Sequence, residues 1–178
     1  MASQSRLGRQ LVEILHSLEG IGAAYALIGG LALASYHVIR ATQDVDLLTD
    51  ANLADAIDLE IRKLGYDCIH RTTDVANYVR GDQRVDLLFA SRPVARELLA
   101  QAPEHQTTLG NLRVVGLEGL IGFKIQGLVN DPRRTQDLED IRALLRSNRT
   151  TVNLAVVRSY FRIFDKEPLL DEILATID

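Results

Sequence analysis

Asp44-Val45-Asp46 opens a run, Asp44 to Thr49, that otherwise reads as a buried strand. On a strand, side chains at i and i+2 point to the same face, so the two carboxylates stand side by side. Such a pair repels itself unless cations sit between the charges or water solvates them. The spacing therefore admits a metal-binding face or the solvated face of a half-exposed strand. Asp86 repeats the problem in Arg84-Val85-Asp86-Leu87-Leu88-Phe89, where its neighbours favour burial. If this second strand pairs beside the first, three carboxylates converge on one patch.

Three hard oxygen ligands, two from one strand and one from its neighbour, suit Mg²⁺ ions that also bind substrate phosphates. Two such ions about 3.5–4 Å apart activate an attacking hydroxyl and stabilise the leaving oxygen in a displacement at phosphorus. Ile28-Gly29-Gly30, a dozen residues upstream, supplies a glycine turn after a short strand. Backbone N–H groups in such a turn can approach a polyphosphate, although Gly-Gly alone is usually only a tight turn.

Periodicity organises the rest. Leu7, Leu11, Ile14, Leu15 and Leu18 predict a helix from about Ser5 to Leu18, ending near Gly20. Ala24 to Ile28 predicts a short strand, followed by a brief helix through Leu31, Ala34 and Val38. Leu53, Ile57, Ile61 and Leu64 mark another helix, closed by Gly65. Val75 to Arg80 and Arg84 to Phe89 flank Gly81-Asp82-Gln83 as a hairpin. Pro93 opens a helix to about Ala102, Leu112 to Val115 is a last strand, and the chain from Leu117 onward is mostly helical. This order predicts an α+β fold: a small mixed β-sheet flanked by helices, with a helical C-terminal part. The expected division is a core over residues 1–116 and a helical region over 117–178, packed together as one compact unit.

At 178 residues and 47% apolar, the chain suits one such domain, with or without a helical appendage. No apolar run nears the roughly 18 residues needed to span a bilayer. Met-Ala-Ser-Gln-Ser-Arg does not resemble a signal peptide, so a cytoplasmic protein without membrane partners is expected. The single Cys68 excludes an internal disulfide and reads as a small buried hydrophobe. The net charge of -4 argues against indiscriminate nucleic-acid coating. Between Arg113 and Arg162, however, nine Lys and Arg stand against five Asp and Glu. Arg133, Arg134, Arg142, Arg146 and Arg149 form either a solvated helix face or a surface for a phosphate-rich partner. His16, His37, His70 and His105 show no ligand spacing, and Tyr36, Tyr66 and Tyr78 read as core or rim residues.

Ile28-Gly29-Gly30-Leu31-Ala32-Leu33, then Arg40-x-Thr42-x-Asp44-x-Asp46-Leu47, then Val85-Asp86-Leu87-Leu88 resembles the nucleotidyltransferases of the polymerase-beta superfamily. Within it, the likeness is greatest to the AbiEii-type toxin and related small nucleotidyltransferase-like proteins, and it spans roughly Tyr25 to Leu145. Leu117 to Lys124, followed by Arg134-x-x-Asp137-Leu138-x-Asp140-Ile141, is similar to that family's lysine-bearing helix and the helix after it. The family's common Ser or Thr after the glycines is replaced here by Leu31, with Ser35 a full turn further on.

The resemblance implies a Mg²⁺-dependent enzyme, with two ions, that moves a nucleoside monophosphate from an NTP to a hydroxyl acceptor. The implied acceptor is RNA, such as a tRNA end, or a protein side chain, and the implied setting is a toxin–antitoxin pair with a cognate partner. In this reading Asp44, Asp46 and Asp86 hold the metal, and Gly29 and Gly30 cradle the terminal phosphates. Lys124 interrupts the apolar stripe of Leu117, Leu120, Ile121 and Leu128. It either snorkels from the stripe's edge or, as the resemblance implies, contacts the nucleotide phosphates. Asp137 orients Lys124 or the nucleophile, or simply reflects an acidic preference at a helix N-terminus. Arg40 and Thr42 contact phosphate, brace the carboxylates or shape a strand-entry turn. The alternative function is a catalytically silent nucleotide-binding or antitoxin-like interaction protein, which Leu31 favours.

Overall fold

The computed structural model describes residues Ser5 to Ile177. They fall into two compact units: the chain up to Leu31 together with Ala41–Val115, and Ala32–Arg40 together with the chain from Gly116. The short segment 32–40 thus groups with the C-terminal helices, which a linear boundary at 116/117 does not express.

The first unit is built on a five-stranded mixed sheet. Its strands are β1 (Tyr25–Leu27), β2 (Asp44–Thr49), β3 (Asp67–Arg71), β4 (Val75–Arg80) and β5 (Gln83–Phe89), in the order β1-β2-β5-β4-β3. β2 and β5 run parallel, and every other pairing is antiparallel. Parallel neighbours need a long crossover. Here α3 (Ala54–Lys63) and the β3–β4 hairpin supply it.

Alternation makes the two sheet faces unlike. Val45, Leu47, Val85, Leu87, Ala76 and Tyr78 are fully buried on one face. α1 (Arg6–Gly20) presents Leu11, Ile14, Leu15 and Leu18 at helical spacing, and α3 presents Ile57 and Ile61. Tyr78 donates its hydroxyl to Asp58 on α3 at 2.9 Å, and Gln10 on α1 donates to the Arg84 carbonyl at 3.0 Å. The opposite face carries Asp44, Asp46 and Asp86, all half-buried. Ser5 caps α1 by accepting the Gly8 N–H at 3.0 Å. Gly65 and Gly81, at φ of 87° and 62°, close α3 and the β4–β5 turn. α4 (Pro93–Ala100) starts at its proline, and β6 (Glu104–Thr107) pairs with β7 (Gly110–Arg113) as a separate hairpin.

The helical unit contains α5 (Leu117–Asn130), α6 (Thr135–Ser147), α7 (Leu154–Ile163) and α8 (Glu167–Thr176). Ile121, Ile125, Ile141, Leu144, Val157, Phe161, Leu170 and Ile173 form its core. α5 and α7 approach closely at Gly122, where a methyl group would meet the Tyr160 ring at 3.1 Å. Segment 32–40 is fastened to α6: Asn148 donates to the Tyr36 carbonyl at 2.8 Å, and Leu33 is fully buried. No helix among the described residues is long and apolar enough to cross a membrane.

Three local expectations are corrected. The helix after the glycines is α2 (Gly29–Ala32) tightening into a 3₁₀ turn, Leu33–Tyr36. It ends before Val38 because His37 turns left-handed at φ 63°. β6 carries no apolar alternation, so only its pairing with β7 reveals it, and the final strand lies two residues earlier than Leu112 to Val115. Cys68 is half-exposed on the edge strand β3, with its thiol 3.4 Å from the His70 carbonyl, rather than buried.

Candidate active site

The sheet unit places the three aspartates on one face of two neighbouring strands. Asp46 and Asp86 are direct partners in the parallel β2–β5 pair, with neighbouring strands about 4.8 Å apart. Asp44 lies one step along the same face, level with Arg84. The pairing that the sequence left conditional is therefore present, and a one-residue slip would have sent Asp86 to the apolar face. Among the described residues, no three or more His, Cys, Asp or Glu side chains are placed so that together they could hold a metal ion. Mg²⁺ does not require such a cluster, because it commonly binds through one or two carboxylates and completes its shell with water and phosphate oxygens. The half-buried carboxylates of the register partners Asp46 and Asp86 supply that kind of donor.

Gly29 faces this patch directly. Its φ is 64°, and a methyl group there would fall 2.0 Å from Asp46 Oδ2 and 2.6 Å from Asp46 Cβ. The turn is thus pressed against β2, and the Ile28 N–H donates to the Asp46 carbonyl at 3.1 Å. Gly30 is buried and Leu31 half-buried behind it. Thr42 lines a separate pocket of about 240 Å³ with Arg6, Gln10, Gln43, Asp82 and Gln83.

The helical unit holds the other predicted residues in one charged network. Lys124 is only 6% exposed, which removes the snorkelling alternative. Its ammonium lies 3.1 Å from Asp137 Oδ1 and 2.6 Å from Asp140 Oδ2. Arg134 Nε approaches the other Asp137 oxygen at 2.7 Å, an ion pair lacking hydrogen-bond alignment. Arg40 grips Asp140 through Nε at 2.9 Å and Nη2 at 3.1 Å, and Gln136 donates to Asp140 at 3.0 Å. Burial alone would raise the Asp140 pKa. The hydrogen bonds from Lys124 and Arg40 outweigh it and hold the carboxyl below its ordinary 3.8. Tyr36 is pushed up to about 12 by burial and by the Glu118 charge, so it stays a neutral hydroxyl at physiological pH.

Asp140 stands within the sequence motif without an assigned role, and Asn77 was passed over. Asp140 was detectable, because Asp137 and Asp140 at i and i+3 share a helix face. Asn77, which donates to Asp86 Oδ1 at 2.7 Å, carries no sequence signal, since a lone strand Asn reads as solvated. Tyr66 and Tyr78 are core residues, as expected. Arg133 is exposed and pairs with Asp131, while Arg149 donates to the Ile177 carbonyl.

No protein-family model matches the sequence, and no curated protein matches it by sequence. Solved structures do match by fold. The solution structure of the antibiotic-resistance factor ANT(2'')-Ia superposes with a TM-score of 0.69 at 17% identity, covering 96% of this chain and 97% of that one. The crystal structure of ANT(2'')-Ia with adenylyl-2''-tobramycin gives the same TM-score and identity over 92% and 99% of the two chains. The lincosamide antibiotic adenylyltransferase LnuA, bound to lincomycin, gives 0.58 at 15% identity over 76% and 94%. At these identities the likeness is one of fold: the chain has a nucleotidyltransferase-like fold.

Proposed function

We propose that this protein is a Mg²⁺-dependent nucleotidyltransferase that moves a nucleoside monophosphate from an NTP to a hydroxyl acceptor. The observation that carries the reading is the row of carboxylates on a nucleotidyltransferase-like fold, Asp46 opposite Asp86 and Asp44 on the same face. In the reaction, the acceptor oxygen forms a bond to the α-phosphorus. The bond from that phosphorus to the bridging oxygen breaks, pyrophosphate leaves with the electron pair, and the hydroxyl proton passes to solvent. Asp44, Asp46 and Asp86 would hold the Mg²⁺, which when bound offsets phosphate charge and lowers the acceptor hydroxyl pKa. The glycine turn keeps side chains away from Asp46 and offers its backbone N–H groups to the phosphates. The roles of Arg40, Thr42, Lys124 and Asp137 toward the nucleotide rest on the motif resemblance. For Arg40, Lys124 and Asp137 the observed ion pairs add a bracing role.

A small hydroxylated molecule is the acceptor favoured here. ANT(2'')-Ia, described with an adenylylated tobramycin, shares nearly the full length of this chain, helical part included. The AbiEii-like motifs keep an RNA end or a protein side chain, and a toxin–antitoxin setting, as the second reading.

The test is label transfer from each α-labelled NTP with Mg²⁺, offered in parallel to aminoglycosides, lincosamides, total RNA and purified protein. Asp46→Asn is expected to lower transfer by about 10³-fold, since a lost metal ligand removes several kcal/mol at about 1.4 kcal/mol per decade. Asparagine keeps the side chain's size, so the variant is expected to remain folded in thermal melting without metal. Nucleotide binding without transfer to any acceptor would instead establish the silent partner. Unchanged transfer by Asp46→Asn would overturn the site.

A further inference from the structure

The carboxylate row continues into a third strand through a residue that carries no charge. Asn77 on β4 is the direct partner of Asp86, just as Asp86 is the partner of Asp46. The three residues therefore lie at one level across β2, β5 and β4, on the face opposite the apolar core. Asn77 Nδ2 donates to Asp86 Oδ1 at 2.7 Å, and both side chains are half-buried.

From this geometry we infer that Asn77 is a positioning residue for the Asp86 carboxylate, setting the orientation in which that carboxylate meets the metal. The inference rests on the proposed function. An aspartate's terminal torsion is broad and roughly two-fold, so a directed donor narrows the range of carboxylate orientations. One short bond to a charged acceptor is such a restraint. The choice of donor is informative. An arginine or lysine at position 77 would orient Asp86 equally well but would cancel the negative charge that attracts a cation. An amide orients the carboxylate, cannot titrate, and leaves the charge intact. Groups that hold metal-binding carboxylates in this way characteristically contribute 10–100-fold to metal affinity or activity. A merely structural cross-strand pair would contribute to sheet stability and nothing else.

The experiment measures Mn²⁺ binding to the whole purified chain by titration calorimetry without nucleotide, beside transfer kinetics and thermal melting. Asn77→Leu keeps strand propensity and removes the donor. It is expected to weaken Mn²⁺ binding by about 10–100-fold and to lower kcat, with the NTP KM at saturating metal little changed. Asn77→Thr retains a hydroxyl donor on a strand-compatible side chain, remains folded if the leucine variant does not, and should restore part of the affinity. If the wild type binds Mn²⁺ and transfers label while both variants match it, the inference fails and the function stands. If the variants lose only melting temperature, Asn77 is a structural pair and the inference also fails. A wild type that binds no Mn²⁺ overturns the carboxylate site and the inference together.

Discussion

Gly29→Ala is expected to abolish nucleotidyl transfer and to destabilise the sheet unit by about 2–5 kcal/mol. Two independent costs combine. A left-handed φ of 64° costs a non-glycine residue about 1–2 kcal/mol. The added methyl would also lie 2.0 Å from Asp46 Oδ2 and 2.6 Å from Asp46 Cβ. Rotating the Asp46 side chain clears the first contact but not the second, because the Cβ is fixed by the backbone of β2 between two paired strands. Either the turn or the strand must shift, and overpacking of that kind costs about 1–3 kcal/mol. A shift of the strand takes Asp46 off its level with Asp86, and a shift of the turn moves the glycine N–H groups away from that pair. Gly81→Ala supplies the control: its φ is 62°, but nothing lies within 4 Å of the added methyl. It should lose only about 1–2 kcal/mol and keep its transfer activity. Urea denaturation and label transfer on both variants decide the matter, and equal behaviour of the two would show that the contact with Asp46 does not exist in solution.

Lys124→Met should destabilise the helical unit by about 3 kcal/mol at pH 7, near the lower end for breaking a buried ion pair. Methionine matches the length of the lysine stem, so packing is largely kept and the charge is what is lost. Asp137 and Asp140, 5% and 2% exposed, would then face each other with one cation fewer. Arg134 and Arg40 remain, which places the loss below the top of the range. The pH dependence follows from the direction of the Asp140 shift. Its folded pKa lies below the ordinary 3.8, so its stabilisation is present above that value and fades as pH falls through the lower folded value. The wild type should therefore lose stability below about pH 4, and the gap to Lys124→Met should narrow there as Asp140 protonates. Adding Asp140→Asn to Lys124→Met should recover part of the loss at pH 7. Equal urea midpoints for wild type and Lys124→Met at pH 7 would mean that this network contributes nothing.

Much of the molecule was legible before its structure. β2 follows from the apolar run around Asp44 and Asp46, α1 from a five-leucine-and-isoleucine stripe, and the β4–β5 hairpin from Gly81-Asp82 between two alternating segments. These signals are local, because side-chain period and turn chemistry depend on near neighbours. The β6 strand was not legible, since Glu104 to Thr107 is polar on both faces and becomes a strand only through β7. The membership of segment 32–40 in the helical unit was likewise hidden, because Asn148 and Asp140 lie 112 and 100 residues from the groups they hold.

By itself the sequence determined which residues were chemically out of place: three aspartates in apolar strands and a lysine in an apolar helix stripe. That much follows from the cost of burying charge, which a linear pattern exposes. Tertiary structure alone decided what each charge meets. Parallel registry set Asp86 beside Asp46 rather than on the core face, and Gly29 closed against that pair. Packing of α5 on α6 gave Lys124 two carboxylates, and β4 gave Asp86 the amide of Asn77. The reason is that registry and helix docking are settled by the sum of many apolar contacts across the unit. A charge's partner is chosen by that sum and not by its own neighbours in the chain.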